Sequence, residues 1–327
     1  MISRFGIILL VLALLVPVAR GGVSPFEHEG ERFVRLDELA SFYRAPLIPG
    51  ADGMQASIRS SLAGIGFTYG RREARIGDTV VWMHEPMDQA RGSWVIREVD
   101  ALTVIDPIMR PAEYLRGVGH RVVLLDPGHG ALDSGAKGRR GMEEKTAALD
   151  IAQRTRRYLV GAGMDVRMTR ESDEFIKLED RAALASWVKA DMMVSIHLNS
   201  AENRTARGIE TFVLAAEGQA STYGGSRRTH ATGNHHNAGN AALGFQLQRA
   251  LVEKTGAYDR GLRRARFIVL RNAPCPAALV ECGFLSNPDD EALIMQGEYR
   301  DRIARGIANG ILRYVTLAKK AKELEKP

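Results

Sequence analysis

Val122-Val-Leu-Leu-Asp-Pro-Gly-His129-Gly130 decides the reading of this chain. A continuous apolar run that stops at Asp-Pro-Gly-His has the form of a buried strand ending in a turn, which delivers His129 to the strand's exit. Two later apolar runs finish in a similar way: Met192-Met-Val-Ser-Ile-His197 and Ala277-Ala-Leu-Val-Glu281 each end on a group able to bind a metal or carry a proton. Around these runs strand and helix patterns alternate. Strands are expected at 122–126, 164–169, 192–198, 209–214, 266–270 and 277–282, and helices at 144–160, 178–189, 238–254 and 299–318. In the first helix Ala148, Ile151, Ala152, Thr155 and Leu159 recur at three and four and form one packing face. The alternation predicts an α/β fold with a twisted, largely parallel sheet and helices on both faces. Open sheets of this kind bind ligands beyond the carboxyl ends of their strands, so His129, His197 and Glu281 are expected around one crevice.

The remainder of the chain bounds the function. With 327 residues, 45% hydrophobic and 26% charged, the composition is that of a globular protein with a sizeable core. The net charge of +6 is spread among acids, and no basic stretch carries interleaved aromatics, so no nucleic-acid partner is expected. Residues 1–21 have the form of a secretory signal peptide: Arg4, an apolar run from Phe5, then Pro17, Ala19 and Gly21. That run is shorter than the roughly 20 residues a spanning helix needs. An extracytoplasmic location, periplasmic or secreted to the cell wall, is therefore expected, with no stable membrane anchor after cleavage. Cys275 and Cys282 lie too far apart along one extended strand to pair and read as buried small hydrophobes.

Residues 23–110 mix short strand-like runs with a helix near Leu36 to Tyr43 and read as a small α+β domain. Its pattern weakly resembles a copper amine oxidase-like N-terminal domain, without a copper-binding signature, and a wall-targeting or positioning role is expected of it. His28 and His84 stand alone and read as ordinary surface or core residues. Asp106-Pro-Ile-Met-Arg-Pro111 marks a boundary, because two close prolines are not expected to continue a helix or a central strand. The polar stretch from Glu217 to Asn240 reads as a long mobile loop, and its His235-His236 is a weak ligand candidate, since adjacent residues rarely point at one ion. Residues 319–327 form a charged tail.

Catalytic zinc takes three protein ligands and leaves a fourth position for water. His129, His197 and a glutamate at the helix start, Glu143 or Glu144, satisfy that rule, and spacing leaves the choice of glutamate open. Zinc lowers the pKa of bound water toward about 7 and polarises a carbonyl. Amide hydrolysis also needs a proton carrier, for which Glu281, set in an apolar run, is the candidate.

Seven ordered motifs carry a family resemblance: Asp126-Pro-Gly-His-Gly130, Gly141-Met-Glu-Glu-Lys145, Thr169-Arg170, Ser195-Ile-His-Leu-Asn199, Gly208-Ile-Glu-Thr-Phe212, Arg260-Gly-Leu-Arg-Arg-Ala-Arg-Phe267 and Leu279-Val-Glu-Cys-Gly-Phe-Leu-Ser-Asn287. Over residues 121–318 the chain resembles the zinc-dependent N-acetylmuramoyl-L-alanine amidases. The resemblance implies one Zn2+ held by His129, Glu144 and His197, with Glu281 as the catalytic glutamate and Asn199 near the substrate. It implies peptidoglycan as substrate, cut at the amide between the lactyl group of N-acetylmuramic acid and L-alanine. Two positions depart from the family pattern, Ala131 for a glycine and Cys282 for an alanine, and neither removes a ligand. Some relatives carry a helical insertion that covers the metal until a protein activator releases it. The stretch 217–240 occupies a plausible place for one, without the composition of a stable helix. The competing readings are a zinc peptidase cutting within the stem peptide and a non-catalytic peptidoglycan-binding protein.

Overall fold

The computed structural model describes residues 23–61, 63–225 and 229–324; the expected signal peptide lies outside them, as do the last residues of the tail. Eleven strands form one large sheet: β1 (Leu47–Pro49), β2 (Gln55–Arg59), β3 (Gly64–Thr68), β4 (Glu73–Ile76), β5 (Thr79–Trp82), β6 (Val122–Pro127), β7 (Asp165–Met168), β8 (Met192–Asn199), β9 (Ile209–Leu214), β10 (Asp259–Ala265) and β11 (Ala277–Phe284). Their spatial order is β7-β6-β8-β11-β9-β10-β5-β4-β3-β2-β1. Strands β7, β6, β8 and β11 run parallel. Strand β9 is antiparallel to β11 and parallel to β10. Strand β10 joins β5 through the pair Leu262 and Val81, and β5 to β1 continue as an antiparallel meander. A separate four-stranded antiparallel sheet, built from Phe26–His28, Glu31–Arg35, Asp88–Ala90 and Ser93–Arg97, completes the N-terminal region.

The expected helices are present on both faces of the sheet. One face packs against α1 (Glu144–Gly161), α3 (Asn237–Thr255) and α5 (Gly297–Glu323), through Leu125, Val194, Ile196, Val213 and Val280. Each of these side chains is almost fully withdrawn from water and contributes about 1.5–3 kcal/mol by the area it buries. The same core continues beneath Ile58, Ile65, Ala74 and Val81, so the N-terminal meander and the parallel strands share one hydrophobic interior. The opposite face carries a smaller cluster of Leu124, Met193, Phe212, Leu214 and Leu279 beneath α2 (Leu178–Trp187) and α4 (Ile268–Arg271).

Three expectations are corrected. The strand expected at 266–270 is instead β10 at Asp259–Ala265 followed by the α4 turn. Its Asp-Arg-Gly-Leu-Arg-Arg-Ala sequence hides a strand because arginines occupy positions where apolar residues are sought; Arg260 and Arg263 pair with Glu210. The prolines at 106–111 are expected to interrupt a helix, yet the chain stays helical through Pro107, passing from Glu98–Asp100 through a π-helical turn at Ala101–Ile105 into Asp106–Met109. It leaves the helix at Arg110, and Pro111 opens the next helix, Pro111–Tyr114, where its missing N–H removes no helical hydrogen bond. The stretch 217–240 is also shorter as a loop than expected, since Thr232–His236 is a 3-10 turn leading into α3 at Asn237. Cys275 and Cys282 are buried and free, as their spacing implied.

Candidate metal centre and active site

Strand β6 ends in a turn in which His129 adopts φ +60° and Gly130 φ +136°. Glycine is required on both sides of the histidine. A Cβ at Gly128 would fall 2.3 Å from His197 Cε1, and one at Gly130 would fall 1.9 Å from the carbonyl oxygen of Glu174. The turn is held from beneath by two buried arginines. Arg170 donates to the carbonyls of Pro127 (3.0 Å) and Gly128 (2.7 Å), and Arg181 donates to that of His129 (2.8 Å). Asp126 accepts from Arg181, Thr169 and Ser195, so the carboxylate that opens the motif neutralises one of these arginines.

Glu144 is the first residue of α1, where the helix dipole favours a carboxylate. Its Oε2 accepts from the backbone N–H of Ala136 at 2.8 Å, and its Oε1 accepts from that of Leu198 at 3.1 Å. The same Oε1 lies 3.0 Å from His129 Nε2 and 2.9 Å from His197 Nδ1, so both imidazoles converge on one oxygen. His129 Nδ1 faces Asp133 Oδ2 at 2.9 Å, an arrangement that orients the ring and leaves Nε2 for a ligand. Burial opposes the charge on Glu144, yet the two histidines hold its carboxyl far below the usual range. Burial likewise disfavours a charged His129, but Glu144 and Asp133 raise its pKa. Glu143 points elsewhere, pairing with Lys137 at 3.3 Å on the surface.

Glu281 stands beside this trio. In the sheet register it neighbours His197 on β8 and Glu210 on β9. Its Oε2 is shut off from solvent and finds no hydrogen-bond partner among the described residues. Burial, with the charges of Glu144 and Glu210 added, pushes its carboxyl well above the ordinary range. Glu210 differs because it is fully engaged: it accepts from Asn199 Nδ2 (2.8 Å), Tyr223 Oη (2.7 Å) and Arg260 Nε (2.9 Å), and pairs with Arg263 Nε at 2.8 Å. Asn199 is thus tied to the network next to Glu281. His235 lies apart from the trio and contacts His230 at 3.2 Å.

The structure brings His129, Glu144 and His197 together with ligand atoms within 4.8 Å of one another. Two nitrogens and one carboxylate oxygen match the kind of donor set that catalytic zinc sites use. The unpartnered Glu281 oxygen fits it too, because a cation beside it would offset the repulsion between the clustered carboxylates. Sequence reasoning did not assign roles to Glu210, Tyr223, Arg260, Arg263 or Arg181. The signal for Glu210 was present: a glutamate inside Gly208-Ile-Glu-Thr-Phe212 is costly to bury unless cations meet it.

This geometry is able to hold a metal ion. The N-acetylmuramoyl-L-alanine amidase family matches residues 123–313, and the chain belongs to that family. It is 34% identical over 221 residues to N-acetylmuramoyl-L-alanine amidase AmiA of Escherichia coli (strain K12), an alignment covering 60% of this chain and 76% of that relative. Among solved structures, the catalytic domain of the amidase CwlV from Bacillus (Paenibacillus) polymyxa var. colistinus matches with a TM-score of 0.52 and 33% identity, over 60% of this chain and 99% of that one. The CwlD amidase from Clostridioides difficile, solved in complex with the GerS lipoprotein, matches with a TM-score of 0.51 and 26% identity, over 60% of this chain and 98% of that one.

Proposed function

We propose that this chain is a zinc-dependent peptidoglycan hydrolase that cuts the amide between the lactyl group of N-acetylmuramic acid and the L-alanine of the stem peptide. The observation that carries the reading is the convergence of His129 Nε2 and His197 Nδ1 on Glu144 Oε1, with the Glu281 Oε2, which has no hydrogen-bond partner among the described residues, beside them. His129, Glu144 and His197 would hold the metal, which supplies Lewis-acid polarisation of the amide carbonyl and acidifies water. Glu281 takes the proton of the attacking water and returns it to the departing amine of alanine. Its shielded position suits both halves of that transfer, because burial narrows the gap between its proton affinity and that of the leaving group. Glu144 is held by two backbone N–H groups as well as the histidines, so its carboxylate keeps its place as charge develops nearby. Asn199, fixed by Glu210, offers a polar group at the rim for positioning substrate.

The substrate places the protein outside the cytoplasm, in agreement with the apolar N-terminal run, and no helix among the described residues is long and apolar enough to cross a membrane. Residues 23–110 position the enzyme on the wall; unchanged binding to sacculi after their deletion would sink that role. The GerS-bound CwlD relative supports control by a protein activator. The deciding experiment is digestion of purified peptidoglycan by the zinc-loaded protein. Mass spectrometry should find glycan chains with free lactyl groups and peptides beginning with L-alanine. Fragments cut within the stem peptide would establish the peptidase reading instead.

A further inference from the structure

The sheet face that carries Glu281 does not end at the active site. Side chains alternate along each strand, so the register fixes which residues share that face. From His197 and Glu281 it runs through Glu210 to Gly261 and Arg263 on β10, then to Val80 and Trp82 on β5. It continues through Glu73 and Arg75 on β4, Gly66 on β3, Ser57 on β2 and Ile48 on β1. The opposite face of the same meander is buried core. On the open face, β1 to β5 and the rim of β10 enclose a groove of about 840 Å3. Its floor is low because Gly66 and Ser57 present almost no side chain.

The groove is basic. Arg59, Arg71, Arg75, Arg260 and Arg263 line it, against Glu73 and Asp259. Asp259 is already occupied by the N–H groups of Val80 and Gly261 and by Gln248. Arg59, Arg71 and Arg75 are exposed. At the junction with the active site the wall is rigid: the Arg263 guanidinium lies 4.2 Å from the Trp82 ring and 4.7 Å from that of Tyr223, and the Trp82 indole donates to the Arg260 carbonyl at 3.0 Å. Arg260 and Arg263 both reach Glu210, next to Glu281, so the groove and the proposed catalytic site share a wall.

We propose that this groove is an extended substrate subsite that binds the acidic peptide arm of peptidoglycan beyond its first few residues. The proposal rests on the amidase reading for its choice of occupant. Three strand spacings separate Glu281 from Trp82, about 14 Å, which an extended peptide spans in roughly four residues. A single stem peptide therefore reaches the Trp82 rim, and the peptide cross-linked to it lies over Arg75 and Arg59. Peptide carboxylates match the groove's charge, whereas the uncharged parts of a glycan strand do not. The N-terminal region thus contributes directly to substrate binding through the sheet it shares with the catalytic strands.

Two measurements on the full chain test this. Titration with a sugar-free, cross-linked acidic stem peptide reads binding without any need for cleavage. The R59E/R75E variant should weaken that Kd about tenfold, R59K/R75K should restore it, and raised salt should erode the wild-type affinity. An unchanged Kd in R59E/R75E, salt-independent binding, or tighter binding of peptide-free glycan overturns the proposal whether or not the amidase reading stands. For cleavage, R59E/R75E should raise KM for cross-linked muropeptide relative to KM for a muramoyl dipeptide, with kcat for the cross-linked substrate kept. An equal effect on both substrates overturns it. Failure of the wild-type protein to cut either substrate sinks the amidase reading, while the titration still decides the groove.

Discussion

Glu281 and Glu210 are direct neighbours across the antiparallel pair of β11 and β9, yet their surroundings are opposite. Glu210 is met by Arg260, Arg263, Tyr223 and Asn199, while the Glu281 Oε2 has no partner among the described residues. A carboxylate so neutralised serves as scaffold. One with an oxygen that finds no partner among the described residues, beside three convergent ligand atoms, is the group that the proposed mechanism uses to carry a proton.

The first prediction separates these roles. Glu281→Gln keeps the shape of the side chain and removes its ability to carry a proton, so hydrolysis should fall by at least about 10²-fold while metal content is unchanged. Product analysis together with elemental zinc measurement checks both halves. A variant that keeps wild-type turnover would remove Glu281 from the mechanism.

Adjacent glutamates at the start of α1 should behave differently. Glu144→Gln weakens a ligand that also receives the N–H groups of Ala136 and Leu198, and zinc affinity should drop at least about tenfold. Glu143→Gln loses only the surface pair with Lys137 and should leave zinc affinity within a factor of about two. Competitive chelator titration of both variants reads the difference.

Ala131 stands in the left-handed region at φ +48°. Its amide donates to Asp173 and its carbonyl accepts from Lys145, so the neighbouring structure holds the strained turn. Ala131→Gly should relieve about 1 kcal/mol of strain or slightly more, offset by a more flexible unfolded chain. The expected net result is a Tm rise of roughly 1–3 °C, read by thermal unfolding. A fall in Tm would show that Ala131 is not strained.

Asp150 gives a pH signature. Burial disfavours its charge, but Arg300 and Arg154 outweigh that and hold its carboxyl below the usual range. A depressed folded pKa means the contribution is fully present above the unfolded value, about 3.9, and is lost as pH falls through the folded one. Asp150→Asn should therefore cost about 1 kcal/mol near pH 7, and the difference from wild type should shrink below pH ~4. Urea unfolding at several pH values measures this; a gap that widens on acidification would reverse the assignment.

Legibility in the sequence followed locality. The runs that became β6, β8 and β11 were readable because each is continuously apolar and ends on a polar group, and the α1 face was readable from its spacing. Strand β10 was misplaced because Arg260, Arg263 and Arg264 interrupt the apolar pattern, and nothing local announces that Glu210, Trp82 and Tyr223 will receive two of these charges. Pro111 was misread because proline permits a helix start, and Pro107 because it follows a π-helical turn at Ala101–Ile105 inside a continuous helical run, a local departure from α geometry that the sequence does not announce.

The sequence by itself determined the α/β class, the residues that carry the family resemblance and the candidate ligands, because these depend on residue type and on spacing within single elements. Only the tertiary structure decided that Glu144 rather than Glu143 turns toward the histidines, that the Glu281 Oε2 has no hydrogen-bond partner among the described residues while Glu210 beside it is saturated, and that the N-terminal meander extends the catalytic sheet through Val81 and Leu262. Each of these is a relation between segments far apart in the chain, set by strand register and side-chain direction, and a one-residue shift in either would turn the same residues to the opposite face.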